Sequence, residues 1–434
     1  MPNTTVAQAY QRLIRDIPEL GEYYAAIDSI AVGSVTVTSL ANSNLSAATY
    51  ENWIIERPSA ATAPDRIRFG STFSAGAISH SGTNYADTTA TSETLRLWKK
   101  RHIRPETEIL NLFTDSLKFC KFKTRIPLLH GPASGDMQGA STTVDGDWTE
   151  SGGTDTVTTT AGQVMINGQV LTVIDTSGAG TGYTQQAVLA NVGTSRSVLF
   201  QAIAKSDVGT SAFQVLNAAS TQEFSIPFTQ EQWLYIKRLH TFSSTTEQFR
   251  IRLAETTAAA EGDWQKAGFT YQDNPYFDLP AYFDEDMTPL GLEVANFYQG
   301  ATETDTWLAG AVHYETLVEG VHYTFERPFG DVNPQGVRIL PGYEWLLGKS
   351  LWLTVLMPYS KPYGTAPAFS AETDSTDCPI EEFATQNIVL LGERYPEFAS
   401  YVPRAEAKLI AIRKTQERRQ IPELAWAGPS GGRI

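Results

Sequence analysis

The sequence predicts an α+β fold in which a helical host domain with added β-strands is interrupted by an antiparallel β-sandwich. Residues 131–275 consist of short alternating apolar stretches separated by Gly, Ser, Thr and Asn. Helical periodicity appears just before this block and again near the far end of the chain. The 434 residues are enough for two or three domains. We therefore predict a discontinuous host at 1–130 and 276–420, an inserted sandwich at 131–275 and an extended tail at 421–434.

The first part of the host begins and ends with helical patterns. The first apolar stripe ends before Pro18 and consists of Val6, Ala9, Tyr10, Leu13 and Ile17. Strand-like runs follow at 30–40, 52–57 and 66–73. A second helix is predicted after Pro105, which suits a first-turn position, and its apolar face consists of Ile109, Leu112, Phe113, Leu117 and Cys120.

The block at 131–275 contains many short strand candidates at regular spacing, a pattern typical of a sandwich. The candidates are 156–160, 163–172, 184–189, 197–204, 212–216, 233–241 and 248–253.

The second part of the host is predicted to contain further strands and then a pair of helices. The strand candidates are 292–298, 307–314, 337–340 and 350–357, with a hairpin about Glu319-Gly320. One helix is predicted from Ile380 to Leu391, before Pro396, and a second from about Pro403.

Charge is distributed unevenly along the chain. The formal net charge is −15, whereas residues 404–434 contain seven Lys/Arg against three acids. An acidic body repels phosphate backbones, which argues against adhesive nucleic-acid binding. Cys120 and Cys378 lie far apart in the sequence, and we expect buried thiols rather than a disulfide, as in a reducing cytoplasm.

No motif of an enzyme is present. The six histidines form no zinc-binding spacing, and neither a nucleophile elbow, a phosphate-binding loop nor a dinucleotide fingerprint occurs. A glycosidase needs two carboxylates at a defined separation, and nothing in the sequence points to such a pair. The sequence therefore predicts a non-catalytic protein. It also contains no pattern of a signal peptide or membrane span.

The order of features in the inserted block resembles the jelly-roll carbohydrate-binding modules. The features are Gly135-Asp136-Met137-Gln138, Trp148, Glu231-Gln232-Trp233-Leu234-Tyr235 and Tyr271-Gln272-Asp273. The resemblance implies aromatic side chains that stack on sugar rings, and the candidates are Trp148, Tyr183, Trp264 and Tyr271. It also implies a structural calcium ion, for which Asp136 and Asp273 are the candidate ligands. Two alternatives remain: Trp148 and Trp233 pack the core, and the whole domain pads a surface without binding sugar.

The host segments resemble the head-to-tail adaptor, or connector, proteins of tailed bacteriophages. The matching segments are Arg104–Leu112, Leu279–Phe283, Cys378–Glu382 and Ala405–Leu409 with the tail that follows. The resemblance implies a homo-oligomeric ring, expected to be dodecameric, at the head–tail junction of a virion assembled in the host cytoplasm. It also implies portal and tail or nozzle partners and DNA that passes without specific binding. The expected portal-docking residues are Arg413, Arg418, Arg419, Leu424 and Trp426. The alternative is a peripheral tail or receptor-binding protein that recognises a host-surface polysaccharide.

Overall fold

The computed structural model describes most of the chain. The described residues are 4–24, 26–40, 53–57, 60, 63–81, 83–88, 93–99, 108–132, 135, 137, 148–158, 170–192, 196–242, 246–280, 283, 286–297, 301–303, 305–309, 312–327, 334–359, 369 and 374–418. They form two compact units. Unit 1 comprises residues 1–121 and 366–416, and unit 2 comprises residues 122–365 and 417–434. The domain boundaries predicted from the sequence stay a prediction.

The described secondary structure is dominated by strands. In chain order the strands are β1 Thr4–Thr5, β2 Gly21–Tyr24, β3 Ser29–Ala31, β4 Ser34–Thr36, β5 Ile54–Glu56, β6 Ile67–Ser74, β7 Ala77–Ser81, β8 Leu95–Trp98, β9 Lys121–Pro127, β10 Thr149–Ser151, β11 Gly153–Thr158, β12 Val170–Asp175, β13 Tyr183–Val192, β14 Ser197–Val208, β15 Ser211–Asn217, β16 Gln222–Phe228, β17 Leu234–Thr241, β18 Thr246–Glu255, β19 Glu261–Tyr271, β20 Tyr276–Asp278, β21 Thr288–Phe297, β22 Ala301–Glu303, β23 Thr306–Leu308, β24 Val312–Thr316, β25 Tyr323–Glu326, β26 Gly336–Ile339, β27 Ser350–Pro358 and β28 Ser375–Thr376. The α-helices are α1 Val6–Asp16, α2 Ala63–Arg66, α3 Leu110–Phe119, α4 Ile380–Arg394 and α5 Val402–Arg418, and short 3-10 helices cover Thr38–Leu40, Glu344–Gly348 and Pro396–Tyr401. None of the helices in the described ranges has both the length and the apolar composition that crossing a membrane requires.

Unit 1 is built on a seven-stranded sheet of order β2-β8-β5-β6-β7-β4-β3, with β1 paired to β28 separately. Helix α1 begins with a capping box. The Thr5 hydroxyl accepts from the Gln8 backbone amide at 3.2 Å, and the Gln8 side chain accepts from the Thr5 amide at 3.0 Å. The helix therefore starts close to the residue that the apolar stripe predicts.

Aromatic side chains fill the helical side of unit 1. The Tyr10 ring lies 5.2 Å from Trp98 and 4.9 Å from Phe113, and Phe113 lies 5.6 Å from Phe383. Cys120 and Cys378 are buried free thiols, which confirms the expectation drawn from their positions in the sequence. Burial raises the pKa of both thiols.

Unit 2 contains three stacked layers of sheet. A five-stranded sheet of order β10-β13-β18-β15-β16 faces a seven-stranded sheet of order β11-β12-β19-β14-β17-β23-β22. The core between these two sheets includes Phe200, Phe213 and Phe249. The other face of the seven-stranded sheet packs against a four-stranded sheet of order β24-β21-β27-β9, through Tyr235, Trp352 and their buried neighbours. The outer face of the five-stranded sheet is therefore covered by neither of the other two sheets.

The prediction of a helical host was wrong. The described residues contain twenty-eight strands and only four α-helices of ten residues or more. The helical segments themselves are present near their predicted positions, but the sequence between them builds sheets rather than an adaptor-like helical body. Strand β27 was predicted near its observed position, but its sequence does not show that it pairs within a sheet of order β24-β21-β27-β9.

The predicted hairpin about Glu319-Gly320 was also wrong. Gly320 does lie in a turn with φ of +77°. However, the flanking strands belong to different sheets, since β24 pairs with β21 whereas β25 pairs with β26.

Candidate functional site

The outer face of the five-stranded sheet is defined by the alternation of side chains along β18. Phe249, Ile251 and Leu253 belong to the core between the two sheets of the sandwich. Because successive residues of a strand point to opposite faces, the intervening Arg250 and Arg252 point outward. Both arginines are partly exposed, in agreement with this assignment.

Arg252 lies at the centre of a row of polar side chains that crosses all five strands. Its register partners are Gln185 on β13 and Gln214 on β15. Gln185 is in turn paired with Thr149 on β10, and Gln214 with Ser225 on β16. Directly paired residues share a face of the sheet, so Thr149, Gln185, Arg252, Gln214 and Ser225 form a single row, called here the polar row.

The polar row is open to solvent along its length, since none of its five side chains is buried. Four inter-strand steps of about 4.8 Å make it about 19 Å long. It offers hydroxyl, amide and guanidinium groups, which together contain both donors and acceptors. Such a row suits a long ligand that carries many hydroxyl groups.

Protein contacts fix the central side chains of the row before any ligand arrives. The Gln185 side-chain oxygen accepts from Arg252 Nε at 3.1 Å and from Nη2 at 3.0 Å. The Arg252 guanidinium also covers the ring of Tyr183, with Cζ 3.8 Å from the ring centroid. Burial lowers the pKa of the Arg252 guanidinium, and repulsion from Arg250 lowers it further. The side chains of Tyr183, Arg252 and Gln185 therefore form a preorganised group.

The four aromatic residues predicted to bind glycan are not gathered into one site. Trp148 and Trp264 lie in the sandwich core with 6% and 0% of their surface exposed, so neither can stack on a sugar from solvent. Tyr183 lies next to the polar row, two residues before Gln185 on β13. Tyr271 lies elsewhere, at the end of β19.

Tyr271 lines a cleft of about 480 Å³ where the chain enters and leaves the sandwich. The His130 ring stacks on Phe277 at 4.4 Å and on Tyr271 at 5.6 Å, while the Arg196 guanidinium lies 3.7 Å from the Tyr271 ring centroid. The ring of Tyr271 is thus already in contact with the side chains of His130 and Arg196. The cleft has apolar and polar walls, but it lacks the ordered row of the outer face.

The hydrogen bonds of His130 fix its tautomer. Its Nδ1 accepts from the backbone amide of Tyr271 at 2.8 Å, so the proton is on Nε2, which donates to the Tyr276 carbonyl at 2.7 Å. Burial lowers the pKa of His130, in keeping with a neutral ring. We interpret this histidine as a structural link between the two ends of the sandwich.

The calcium site expected at Asp136 and Asp273 stays a prediction. Asp136 lies outside the described residues, and Asp273 forms an ion pair with Arg196 at 2.8 Å. Three other acids, Asp207, Glu261 and Asp263, place carboxylate oxygens within 4.8 Å of one another. Lys205 pairs with Asp207 at 2.7 Å and with Asp263 at 3.0 Å. The ammonium group of Lys205 therefore already balances part of the negative charge of these three carboxylates.

The predicted portal-docking residues are only partly within the described chain. Arg413 Nη2 donates to the Phe119 carbonyl at 3.3 Å and to the Gln386 side chain at 3.4 Å, which ties α5 to the neighbouring helices of unit 1. Arg418 ends α5, and nothing is described of its side chain. Arg419, Leu424 and Trp426 lie outside the described residues, so docking through them stays a prediction.

None of the five residues of the polar row was predicted from the sequence, whereas the neighbouring Tyr183 was. The alternation in Gln248-Phe249-Arg250-Ile251-Arg252-Leu253 does indicate a strand with a polar outer face. Only the register, however, aligns Gln214 and Gln185 with Arg252.

Comparisons with known proteins find only weak structural similarity. No known family model matches the chain, and no curated protein matches it. Among solved structures, the chain is similar to the enzymatically active domain of tailspike protein 4 from bacteriophage CBA120, with 12% identity, a TM-score of 0.25, and coverage of 33% of this chain and 21% of the tailspike chain. The chain thus spans about a fifth of that protein.

The chain is also similar to carbohydrate-binding modules. The xylan-binding CBM22-1 domain of Paenibacillus barcinonensis Xyn10C matches with 12% identity and a TM-score of 0.24, over 29% of this chain and 85% of the module. A family 61 module in complex with β-1,4-galactotriose matches with 10% identity and a TM-score of 0.24, over 32% of this chain and 95% of the module. Scores this low carry no argument about function, so the following proposals rest on the residues of this chain.

Proposed function

We propose that this chain is a non-catalytic glycan-binding protein that recognises a polysaccharide along the polar row of its sandwich. The observation that carries the proposal is the alignment of Thr149, Gln185, Arg252, Gln214 and Ser225 across five strands. A chain of sugar hydroxyls needs donors and acceptors spaced along one direction, and the row supplies both. The row itself contains no carboxylate, which supports binding rather than glycoside hydrolysis.

The setting we propose is the periphery of a bacteriophage virion, as a tail or receptor-binding protein. An adaptor ring was the favoured interpretation of the sequence because the host was expected to be helical, and that expectation was wrong. A peripheral binding protein needs only an accessible sandwich face. Detection of the chain in purified virions, and loss of adsorption to cells pretreated with the purified protein, would support this setting.

Replacing Gln214 with alanine should weaken polysaccharide binding about three- to tenfold, because one or two hydrogen bonds from the centre of the row are lost. Gln232→Ala is a matched control, since Gln232 is an exposed glutamine in a loop of the same unit. Affinities of the full chain and both variants would be measured by isothermal titration against a panel of neutral and acidic bacterial polysaccharides. Equal affinities for the two variants would show that the polar row does not bind the polysaccharide. Failure of the full chain to bind any polymer would refute the proposed function.

A further inference from the structure

The outer face of the five-stranded sheet contains two neighbouring guanidinium groups. Arg250 and Arg252 are two residues apart on β18 and therefore share a face, with their Cα atoms about 7 Å apart. Leu216 and Gln214 are their partners on β15, and Ala187 and Gln185 are their partners on β13. None of these four neighbours carries a charge.

Within the described part of the chain, neither arginine pairs with a carboxylate. Arg250 Nη1 donates to the hydroxyl of Ser220 at 2.6 Å, and Arg252 donates to the amide oxygen of Gln185. Other arginines of unit 2 do have acidic partners, such as Arg125 with Glu293 at 2.6 Å and Arg238 with Asp305 at 2.9 Å. Two cations without a carboxylate partner among the described residues therefore lie side by side on this face, in a chain whose net charge is −15.

Two cations of like charge on one strand repel each other, and an anion placed between them relieves that repulsion. A guanidinium binds a carboxylate through two parallel N–H donors, a geometry that lysine cannot reproduce. Arg252 donates to Gln185 through Nε and through one hydrogen of Nη2, which leaves Nη1 and the second hydrogen of Nη2 for a carboxylate. The amide of Gln214 lies beside it in the polar row and can bind a neighbouring hydroxyl.

From this charge arrangement we infer that the polysaccharide bound by the polar row is acidic, with sugar carboxylates held by Arg250 and Arg252. The inference rests on the proposed function and specifies its ligand class. The expected ligands are glycans that carry carboxylates, of the uronic acid type. Single-stranded nucleic acid, which is also anionic, is the competing ligand to be tested, and the polar row lacks the exposed aromatic series on which successive bases would stack.

The experiment compares the full chain on three probes: polygalacturonate, its fully methyl-esterified form and a single-stranded DNA oligonucleotide. Esterification removes the charge while keeping the sugar backbone, so we expect it to weaken binding at least tenfold. Binding of polygalacturonate should also weaken as NaCl is raised from 50 to 500 mM, because salt screens the exposed charges. DNA should bind at least tenfold more weakly than polygalacturonate.

Arg250→Gln should weaken polygalacturonate binding about tenfold and leave binding of the esterified polymer within twofold, because Arg250 lies outside the polar row. Arg252→Gln should weaken binding of both polymers, and that of polygalacturonate more strongly, because Arg252 also belongs to the row. Arg238→Gln removes the same charge from β17 in the other sheet and should have no effect. Arg252→Lys keeps the charge and should recover only part of the affinity. Unchanged near-ultraviolet circular dichroism would show that each variant is folded.

The outcomes separate the two proposals. Equal binding of the charged and esterified polymers, unaffected by Arg250→Gln, would overturn the acidic ligand class and leave glycan binding intact. DNA bound as tightly as polygalacturonate would overturn it in favour of a general polyanion site. Failure to bind any glycan, charged or neutral, would refute the proposed function itself.

Discussion

Replacing Glu255 with glutamine should stabilise unit 2 by a few kcal/mol at pH 8 and change its stability little at pH 4.5. Glu255 ends β18 on the inner face of the sandwich and is 1% exposed. Its Oε2 accepts from the Ser211 hydroxyl at 2.7 Å, while Oε1 is buried without a hydrogen-bond partner. Glutamine keeps the shape of the side chain and an oxygen for Ser211, but it has no charge to bury.

The environment of Glu255 disfavours the carboxylate form. Burial raises the pKa of Glu255 to about 8, and the nearby Asp175, Glu261 and Asp263 add to the shift, while the bond from Ser211 opposes it. The folded state therefore keeps a proton that the unfolded chain releases near pH 4.5. Stability is fully present below pH 4.5 and is lost as the pH rises from 4.5 to 8.

The measurement is the free energy of unfolding by urea at pH 4.5, 6 and 8 for the wild type and Glu255→Gln. The rise in the pKa of Glu255 from 4.5 to about 8 corresponds to a loss of a few kcal/mol of stability at pH 8. Glu150→Gln is a control, because Glu150 is exposed on edge strand β10. A Glu255→Gln variant with the same pH profile as the wild type would show that Glu255 is ionised in the folded protein.

The sequence identifies those elements whose signals are local. Helix α1 follows from its apolar stripe and from Pro18 after it, and the strands of the sandwich follow from the strand-like runs at 184–189, 197–204 and 248–253. The sheets that these elements form depend on pairing between distant residues, which no local pattern encodes. The host was therefore assigned to the wrong class, although its four longer helices were anticipated.

The same limit applies to the functional residues. Trp264 and Lys266 lie two residues apart on β19, and both would be placed on one face of a strand that alternates regularly. A β-bulge interrupts the register of β19 against β14 between Ile203 and Ala204, and Trp264 packs in the sandwich core while Lys266 meets the four-stranded sheet. Burial of β19 on both faces depends on β27, which follows some 80 residues later in the chain, so the sequence cannot distinguish a buried tryptophan or lysine here from an exposed one.

Lys266 is the second residue whose replacement should have a large effect. It is fully buried, and its Nζ lies 3.0 Å from Gln201 Oε1 and 3.2 Å from both Tyr235 Oη and Ser350 Oγ. The Trp352 ring centroid is 4.5 Å from Nζ. None of these groups carries a negative charge, so burial lowers the pKa of Lys266 well below its usual value.

Lys266→Met should therefore stabilise unit 2 by about 1 to 3 kcal/mol at pH 7, because methionine fills a similar volume without desolvating an ammonium group. The partners lose one hydrogen bond each, but Tyr235 still bonds to Ser350 and accepts from Trp352 Nε1 at 3.1 Å. In the wild type the unfolded chain binds more protons than the folded chain, so stability should rise between pH 7 and about 10. In Lys266→Met that rise should disappear.

Calorimetry of the full chain between pH 7 and 10 would measure both effects, with Lys349→Met as a control that removes a partly exposed lysine from the same unit. The advantage of Lys266→Met should shrink towards pH 10, where the lysine of the unfolded wild-type chain begins to lose its proton, while the folded wild type keeps the hydrogen bonds of the amine. Glu255 and Lys266 both lie in unit 2. A thermal transition that both variants shift is therefore the unfolding of unit 2 and not that of unit 1. A loss of stability in Lys266→Met at pH 7 would mean that the hydrogen bonds of the buried amine outweigh its desolvation. Lys266 would then hold the four-stranded sheet against the sandwich rather than weaken that packing.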